Sequence, residues 1–272
     1  MTEPKGTSTA QDTVAEPRAK EASAAGGPAK GLTATQCVRG VAGPIGRLGG
    51  AWMFDEQTNA RGEQLGLSRW SWYHCGRGGV LGDVDASVVV AAFGFFPPAL
   101  QSKAWNSGRG VRPVGDTAQD YAQACADWGR RTFGSLDSAG RLADLLGGAL
   151  AAVDVAGLPL FAAWRVVAAA GPADAPARLA LALQAGREHR GSCHLVAVVA
   201  AGIDPLQAVV SGRYGPRNAE FFGWAPPWPD PQVAREAMVE VEAVTDRLVE
   251  PAFAALPTEQ RAELVDGLRA LR

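Results

Sequence analysis

The chain has 272 residues, 47% of them apolar, enough to bury a sizeable core in one large or two small domains, which excludes a wholly disordered protein. A net charge of −2 and a pI near 6.0 supply no overall positive field to draw the chain onto phosphate backbones, so nucleic acid is not the expected partner. Lysine stands only at Lys5, Lys20, Lys30 and Lys103 among abundant Arg, Ala and Gly, the bias of a GC-rich bacterial genome.

Residues 1–36 are rich in Thr, Ala, Ser, Glu, Pro and Gly without an apolar run, and read as a disordered tail. They also lack the pattern of a secretory signal. The longest apolar runs, 88–93 and 195–201, fall short of the roughly 20 residues that span a bilayer, so a cytoplasmic protein with no membrane partner is expected. Residues 37–85 are dense in glycine; they are expected to form helix and loop, with a short strand allowed at 70–75. From residue 86 onward apolar side chains recur every three or four positions, the helical period. Asp85 is placed to cap a helix through Val88, Val89, Ala92, Phe93 and Phe96, which Pro97 and Pro98 kink or split before 100–105. Asp116 and Thr117 begin another, with Tyr121, Cys125 and Trp128 on one face. Helices are expected at 138–153 and 158–170, then one long helix over 177–201 with an irregularity at Gly191, and another from Asp204-Pro205. The proline-rich stretch 214–231 reads as loop, and 233–248 and 258–271 as two terminal helices. The expected fold is all-α, a multi-helix bundle in two packed halves, 37–172 and 173–272, behind the tail.

All three histidines lie beside or near a cysteine. His74 precedes Cys75, and His189 and His194 flank Cys193 in Arg187-Glu188-His189-Arg190-Gly191-Ser192-Cys193-His194. On a helix His189 and Cys193 are i and i+4 and share a face, while His194 points about 100° further round. Two chemistries fit. His189, with Glu188 and His74, is a candidate acid/base group that Arg187 and Arg190 would tune. Alternatively His189, Cys193 and His74 form a three-ligand zinc site, or one histidine ligates haem; the blander reading leaves every histidine a hydrogen-bonded polar residue, with no cofactor. The four cysteines, Cys37, Cys75, Cys125 and Cys193, form no C-x-x-C, so neither a zinc ribbon nor a disulfide framework is indicated. Gly76 to Gly82 imitates a dinucleotide loop, but the stretch before it is not a buried apolar strand, so nucleotide binding is set aside. Eight tryptophans against three tyrosines suit a cavity for a flat ligand, with Trp70, Trp72, Trp164 and Phe93 as candidate wall and Arg187 and Arg190 as candidate polar contacts.

At Leu65-Gly66-Leu67-Ser68-Arg69-Trp70-Ser71-Trp72-Tyr73, at Ala91 to Leu100, and above all at 187–194 followed by Val198-Val199-Ala200-Ala201-Gly202-Ile203-Asp204-Pro205, the chain resembles an actinobacterial family of helical proteins commonly labelled helix-turn-helix proteins. The resemblance runs from about residue 40 to the end and includes the E-x-x-T-D helix at Glu242 to Asp246. It implies an all-helical fold in two parts and brings no established reaction. In the family pattern a winged segment follows the position of Trp224; here 226–231 replaces most of it, so a recognition helix and wing are not expected. The pattern also carries a histidine near Gly49-Gly50, none at His74 or Cys75, and small or acidic residues where Ser192 and Cys193 stand. The resulting expectation is a small-molecule enzyme that tailors or cyclises an aromatic or polycyclic intermediate of bacterial secondary metabolism, such as antibiotic biosynthesis, through a histidine in an inter-helix pocket. The alternative is a non-catalytic metabolite-binding or regulatory protein, and a homodimer is compatible with either.

Overall fold

Thr33 opens the first helix. Its hydroxyl accepts from the backbone N–H of Gln36 at 3.1 Å while the Gln36 amide oxygen accepts from the N–H of Thr33 at 2.9 Å, a reciprocal cap. A computed structural model of the chain describes residues 31–271. The expected tail therefore lies outside the described residues over 1–30, and its last residues, 34–36, are helical instead.

Among the described residues thirteen α-helices follow in order: α1 (Ala34–Ala51), α2 (Glu56–Gln64), α3 (Arg69–Gly78), α4 (Ala86–Phe93), α5 (Pro98–Arg109), α6 (Val114–Phe133), α7 (Ala139–Ala151), α8 (Pro159–Ala169), α9 (Ala175–Ala200), α10 (Pro205–Ser211), α11 (Pro216–Phe221), α12 (Arg235–Ala254) and α13 (Thr258–Ala270). No strand occurs among the described residues. The segment 70–75, where a strand was allowed, lies in α3, started by the Ser68 hydroxyl accepting from the N–H of Ser71. Asp85 caps α4 as its position suggests, Gly94 ends that helix at φ +70°, and Pro98 starts α5. Residues 214–231 are not all loop, because Pro216 fixes the first turn of the six-residue α11.

The long helix α9 is the axis of the molecule, packed by α1, α6, α7, α8 and α12. Its run from Leu179 to Gly186 is buried without a break, as a helix enclosed on every side requires. It also continues straight through Gly191, where an irregularity was expected. The main apolar cluster reaches from Cys37 in α1 to Leu268 in α13 and so draws on both expected halves. A smaller cluster joins Ala197 and Val198 at the end of α9 to Ala208, Met238 and Val241.

The approach of α1 to α9 depends on Gly49. A methyl group there would stand 2.5 Å from the carbonyl oxygen of Leu183 and 3.0 Å from Cβ of Arg187. Gly49→Ala is therefore expected to destabilise the fold by about 1–3 kcal/mol in urea titration, because backbone must move. Gly148→Ala, on the exposed side of α7 with nothing near its added methyl, should instead stabilise by about 0.5–1 kcal/mol. Equal effects at the two positions would refute the close-approach account.

Candidate functional site

The segment 187–194 occupies the middle of α9 and distributes its side chains over three environments. The first is a buried ion pair. Glu188 is 1% exposed, and its carboxylate accepts two hydrogen bonds from Arg77 of α3, Nε to Oε1 at 2.8 Å and Nη2 to Oε2 at 2.7 Å. Gln184 Nε2 donates to the same Oε1 at 2.8 Å and Arg187 Nη1 at 3.0 Å. Burial works to raise the Glu188 pKa, but Arg77, Arg187 and Gln184 outweigh it and hold the carboxyl below its usual range. Glu188, a candidate proton carrier by sequence, is held towards its charged form and accepts four hydrogen bonds. Arg77 is fixed in turn by Nη1 donating to the Tyr73 hydroxyl at 3.1 Å, and its guanidinium lies 4.2 Å from the centre of the Phe93 ring.

The second environment is the core. His189 is 1% exposed, its ring 4.6 Å from that of Phe161, and its Nε2 has no hydrogen-bond partner. It borders a crevice of about 10 Å³ against α1, α7 and α12. Burial lowers its pKa to about 4 and keeps it neutral at physiological pH. Cys193 is equally buried, and burial pushes its thiol up to about 11, far from a thiolate. His74 is fully enclosed, stacked on Phe93 at 5.3 Å between ring centres, with Nδ1 donating to the carbonyl of Trp70 at 2.9 Å and Nε2 unpartnered. Burial lowers this ring too to about 4, against the bond to Trp70. Among the described residues no three His, Cys, Asp or Glu side chains are grouped to hold a metal, so His74, His189 and Cys193 are not assembled as a three-ligand site. Trp164 likewise belongs to the core, its indole N–H donating to the Arg77 carbonyl at 3.0 Å.

The third environment is a cleft of about 310 Å³. Arg187, Arg190, Gly191 and His194 form its α9 wall, with Ser192 beside them. Tyr73, Phe93, Phe96 and Phe222 face them, Ile45 and Gly46 of α1 close one side, and Glu242 of α12 borders the cleft. A second chamber of about 290 Å³ adjoins it, lined by Trp70 and Trp72 with Met53, Phe54, Asn59, Arg69, Tyr121 and Phe221. Tyr73, Phe96, Arg187 and Phe222 line both and form the partition. Of the residues expected at the site, Arg187, Arg190, Phe93, Trp70 and Trp72 therefore line these spaces, whereas His189, His74, Cys193 and Trp164 line neither.

His194, Glu242, Tyr73 and Tyr121 are the residues that sequence reasoning passed over. His194 Nδ1 lies 3.1 Å from the Thr245 hydroxyl and 3.6 Å from Glu242 Oε1. The Thr245 hydroxyl donates its single proton to the Val241 carbonyl at 2.7 Å, so it accepts from His194. Nδ1 consequently carries the hydrogen, and Nε2 keeps a free lone pair. Burial lowers the His194 pKa, offset by Glu242 and reinforced by Arg190, which disfavours the imidazolium and leaves the Nε2 lone pair unprotonated. Arg190 itself is paired with Asp246 at 2.8 Å and Glu242 at 2.7 Å. Arg187 makes one bond to Glu188 and has donors to spare.

Two measurements check this geometry. Arg77→Met leaves Glu188 without its chief partner in the core and should cost about 3–5 kcal/mol in denaturant titration, with Arg77→Met/Glu188→Leu costing less than the single change; a larger cost in the double variant would reject the buried pair. The unfolded chain protonates its histidines near pH 6.5, whereas folded His74 and His189 resist until about pH 4. Stability is therefore complete above pH 6.5 and falls as pH drops towards 4, by up to about 1.4 kcal/mol per pH unit for each ring. Ring proton resonances of these two histidines that titrate near pH 6.5 in the folded protein would show that burial does not control them.

No curated protein and no solved structure matches the chain. One family does, described as a helix-turn-helix family, over residues 38–238, from α1 into the first turn of α12, which takes in the whole of 187–194 and stops short of Glu242 and Thr245. With that match spanning most of its length, the chain belongs to this helix-turn-helix family.

Proposed function

We propose that the protein is a small-molecule enzyme of bacterial secondary metabolism that tailors or cyclises an aromatic or polycyclic intermediate by proton transfer in the inter-helix cleft. The observation that carries this reading is the pairing, along one wall, of a neutral histidine with a free Nε2 and an arginine with uncommitted donors. In the proposed step Nε2 of His194 removes a proton from the carbon next to a carbonyl. The imidazolium that forms is stabilised by Glu242 at 3.6 Å, and the electron pair left on the substrate moves onto the carbonyl oxygen, where Arg187 stabilises the oxyanion. If that enolate attacks a second carbonyl of the same molecule, the new alkoxide takes the proton back from His194 and the histidine is regenerated. Atoms and charge balance without an oxidant or reductant.

The cleft is kept open at the expense of helix stability. Gly46 and Gly191 both lie on exposed helix surface and both line the cleft, and a methyl group at either would touch nothing within 4 Å. Each glycine costs its helix about 1 kcal/mol relative to alanine, so their use here supports a space that has to be left free. Gly46→Leu and Gly191→Leu should keep or raise the melting temperature while abolishing turnover, the reverse of the usual core substitution.

Proton abstraction is tested with 1-phenylbutane-1,3-dione in deuterated buffer, following exchange at its methylene above the buffer rate. His194→Gln should lower the catalysed rate by about 10²–10⁴ with the fold intact. Exchange unchanged in His194→Gln and in Gly46→Leu would overturn the enzymatic reading; binding without exchange would point to a metabolite-binding protein instead. The family description favours a second reading, DNA binding. A gel shift with duplex DNA that weakens with salt and survives Gly46→Leu would favour it over the first.

A further inference from the structure

The second chamber has a composition of its own, and the position of Arg187 between the two spaces connects them. Trp70, Trp72, Phe96, Tyr121 and Phe222 supply ring faces and edges, which suits a flat ligand of low conformational entropy. Phe54, on the turn after α1, and Phe221, on α11, pack against each other with ring centres 5.7 Å apart and are about half exposed, which places the pair at the chamber's outer edge.

Charge decides what kind of flat ligand fits. Two guanidinium groups, Arg77 and Arg187, surround one carboxylate, Glu188, so the trio carries one positive charge in excess. Arg77 gives three hydrogen bonds to Glu188 and Tyr73 and lines the cleft but not the aromatic chamber, whereas Arg187 reaches the partition and lines both. A second cation, Arg69, also lines the aromatic chamber. Two hydroxyls add donor capacity. Tyr73 accepts from Arg77 and so retains its own O–H to give, and the buried Tyr121 hydroxyl has no partner at all. Cationic ligands are disfavoured by this set, and a neutral apolar ligand would leave the donors unanswered at a cost of about 1–3 kcal/mol each.

We infer that the substrate spans both chambers: a fused aromatic ring lies in the tryptophan chamber, a carboxylate or equivalent oxyanion takes some of the uncommitted Arg187 donors at the partition and leaves the others for the oxyanion of the reaction, and the portion to be deprotonated extends into the His194 cleft. This deepens the proposed function and rests on it only for the role of the cleft. Arg187 then acts as the fixed point of the ligand, setting the distance from the ring to the reacting carbon. A volume of about 290 Å³ on one side and about 310 Å³ on the other places each within the range of ordinary small-molecule sites.

Calorimetric titration with 2-naphthoate and with its neutral counterpart 2-naphthalenemethanol tests the assignment. The acid is expected to bind at least tenfold tighter than the alcohol. Arg187→Met should erase that difference, Arg187→Lys should retain part of it, and Trp70→Ala should weaken both ligands several-fold. Gly46→Leu, which fills only the cleft, should leave naphthoate binding unchanged. Naphthoate binding that is lost in Gly46→Leu and indifferent to Trp70→Ala would place the ring in the cleft and overturn this inference while leaving the proposed function standing. Equal binding of acid and alcohol would remove Arg187 as the anion site. Normal naphthoate binding with deuterium exchange unaffected by His194→Gln would do the opposite, sparing the chamber assignment and refuting the reaction.

Discussion

The bidentate contact between Arg77 and Glu188 is the interaction on which the site depends. It is made in the interior, where an ion pair repays its desolvation only if the geometry is good and the remaining lone pairs are satisfied. Both conditions hold, since the carboxylate accepts four hydrogen bonds and the guanidinium lies over an aromatic face. The pair ties α3 to α9 at one register. Because α3 carries Trp70, Trp72 and Tyr73 while α9 carries Arg187, Arg190 and His194, a shift of that register would move the two walls of the candidate site past one another. The same carboxylate anchors Arg187 through one donor and leaves the rest of its guanidinium available.

Much of the architecture follows from signals that local chemistry makes explicit. Capping residues such as Asp85 and Asp204, and the first-turn proline Pro205, mark helix starts that the structure reproduces, whereas at Pro98 the expected kink or split is a full break, since α4 ends at Phe93 and Pro98 starts α5. The failures have equally local causes. The aromatic stretch 70–75 mimics strand alternation because Ser71 lies between two tryptophans, yet Ser71 is itself buried, as a helix packed on two sides permits. In 214–231, dense Gly and Pro hide the short α11, in which proline starts a helix rather than ending one.

The chemistry of 187–194 was legible in part. The prominence of the segment, the shared face of His189 and Cys193 and the different direction of His194 all follow from helical geometry. What the sequence does not disclose is which face meets the open space. Positions 187, 190, 191 and 194 form an i, i+3, i+4, i+7 stripe of two arginines, a glycine and a histidine, a polar row on a helix whose preceding turns, 179–186, are fully buried. That row is the signal the sequence carries, although the His189–Cys193 pair is the more conspicuous feature of the segment. Partners from distant parts of the chain, Arg77 for Glu188 and Glu242 and Thr245 for His194, have no local sequence mark, because only tertiary packing brings them within reach.

The bare glycines at 46 and 191 also bear on how such a protein could change its ligand. Most alterations to a binding cavity disturb the core that shapes it, so altered specificity and impaired folding arrive together. Here the cavity is bounded in part by two exposed helical positions that contribute no side chain and take no part in the buried ion pair. A side chain placed at either position starts out in open space, so it would reshape the cavity from its rim, and most replacements of glycine would strengthen the helix at the same time. Within a family sharing this scaffold, the choice of molecule could therefore be revised one residue at a time, with no intermediate that folds poorly.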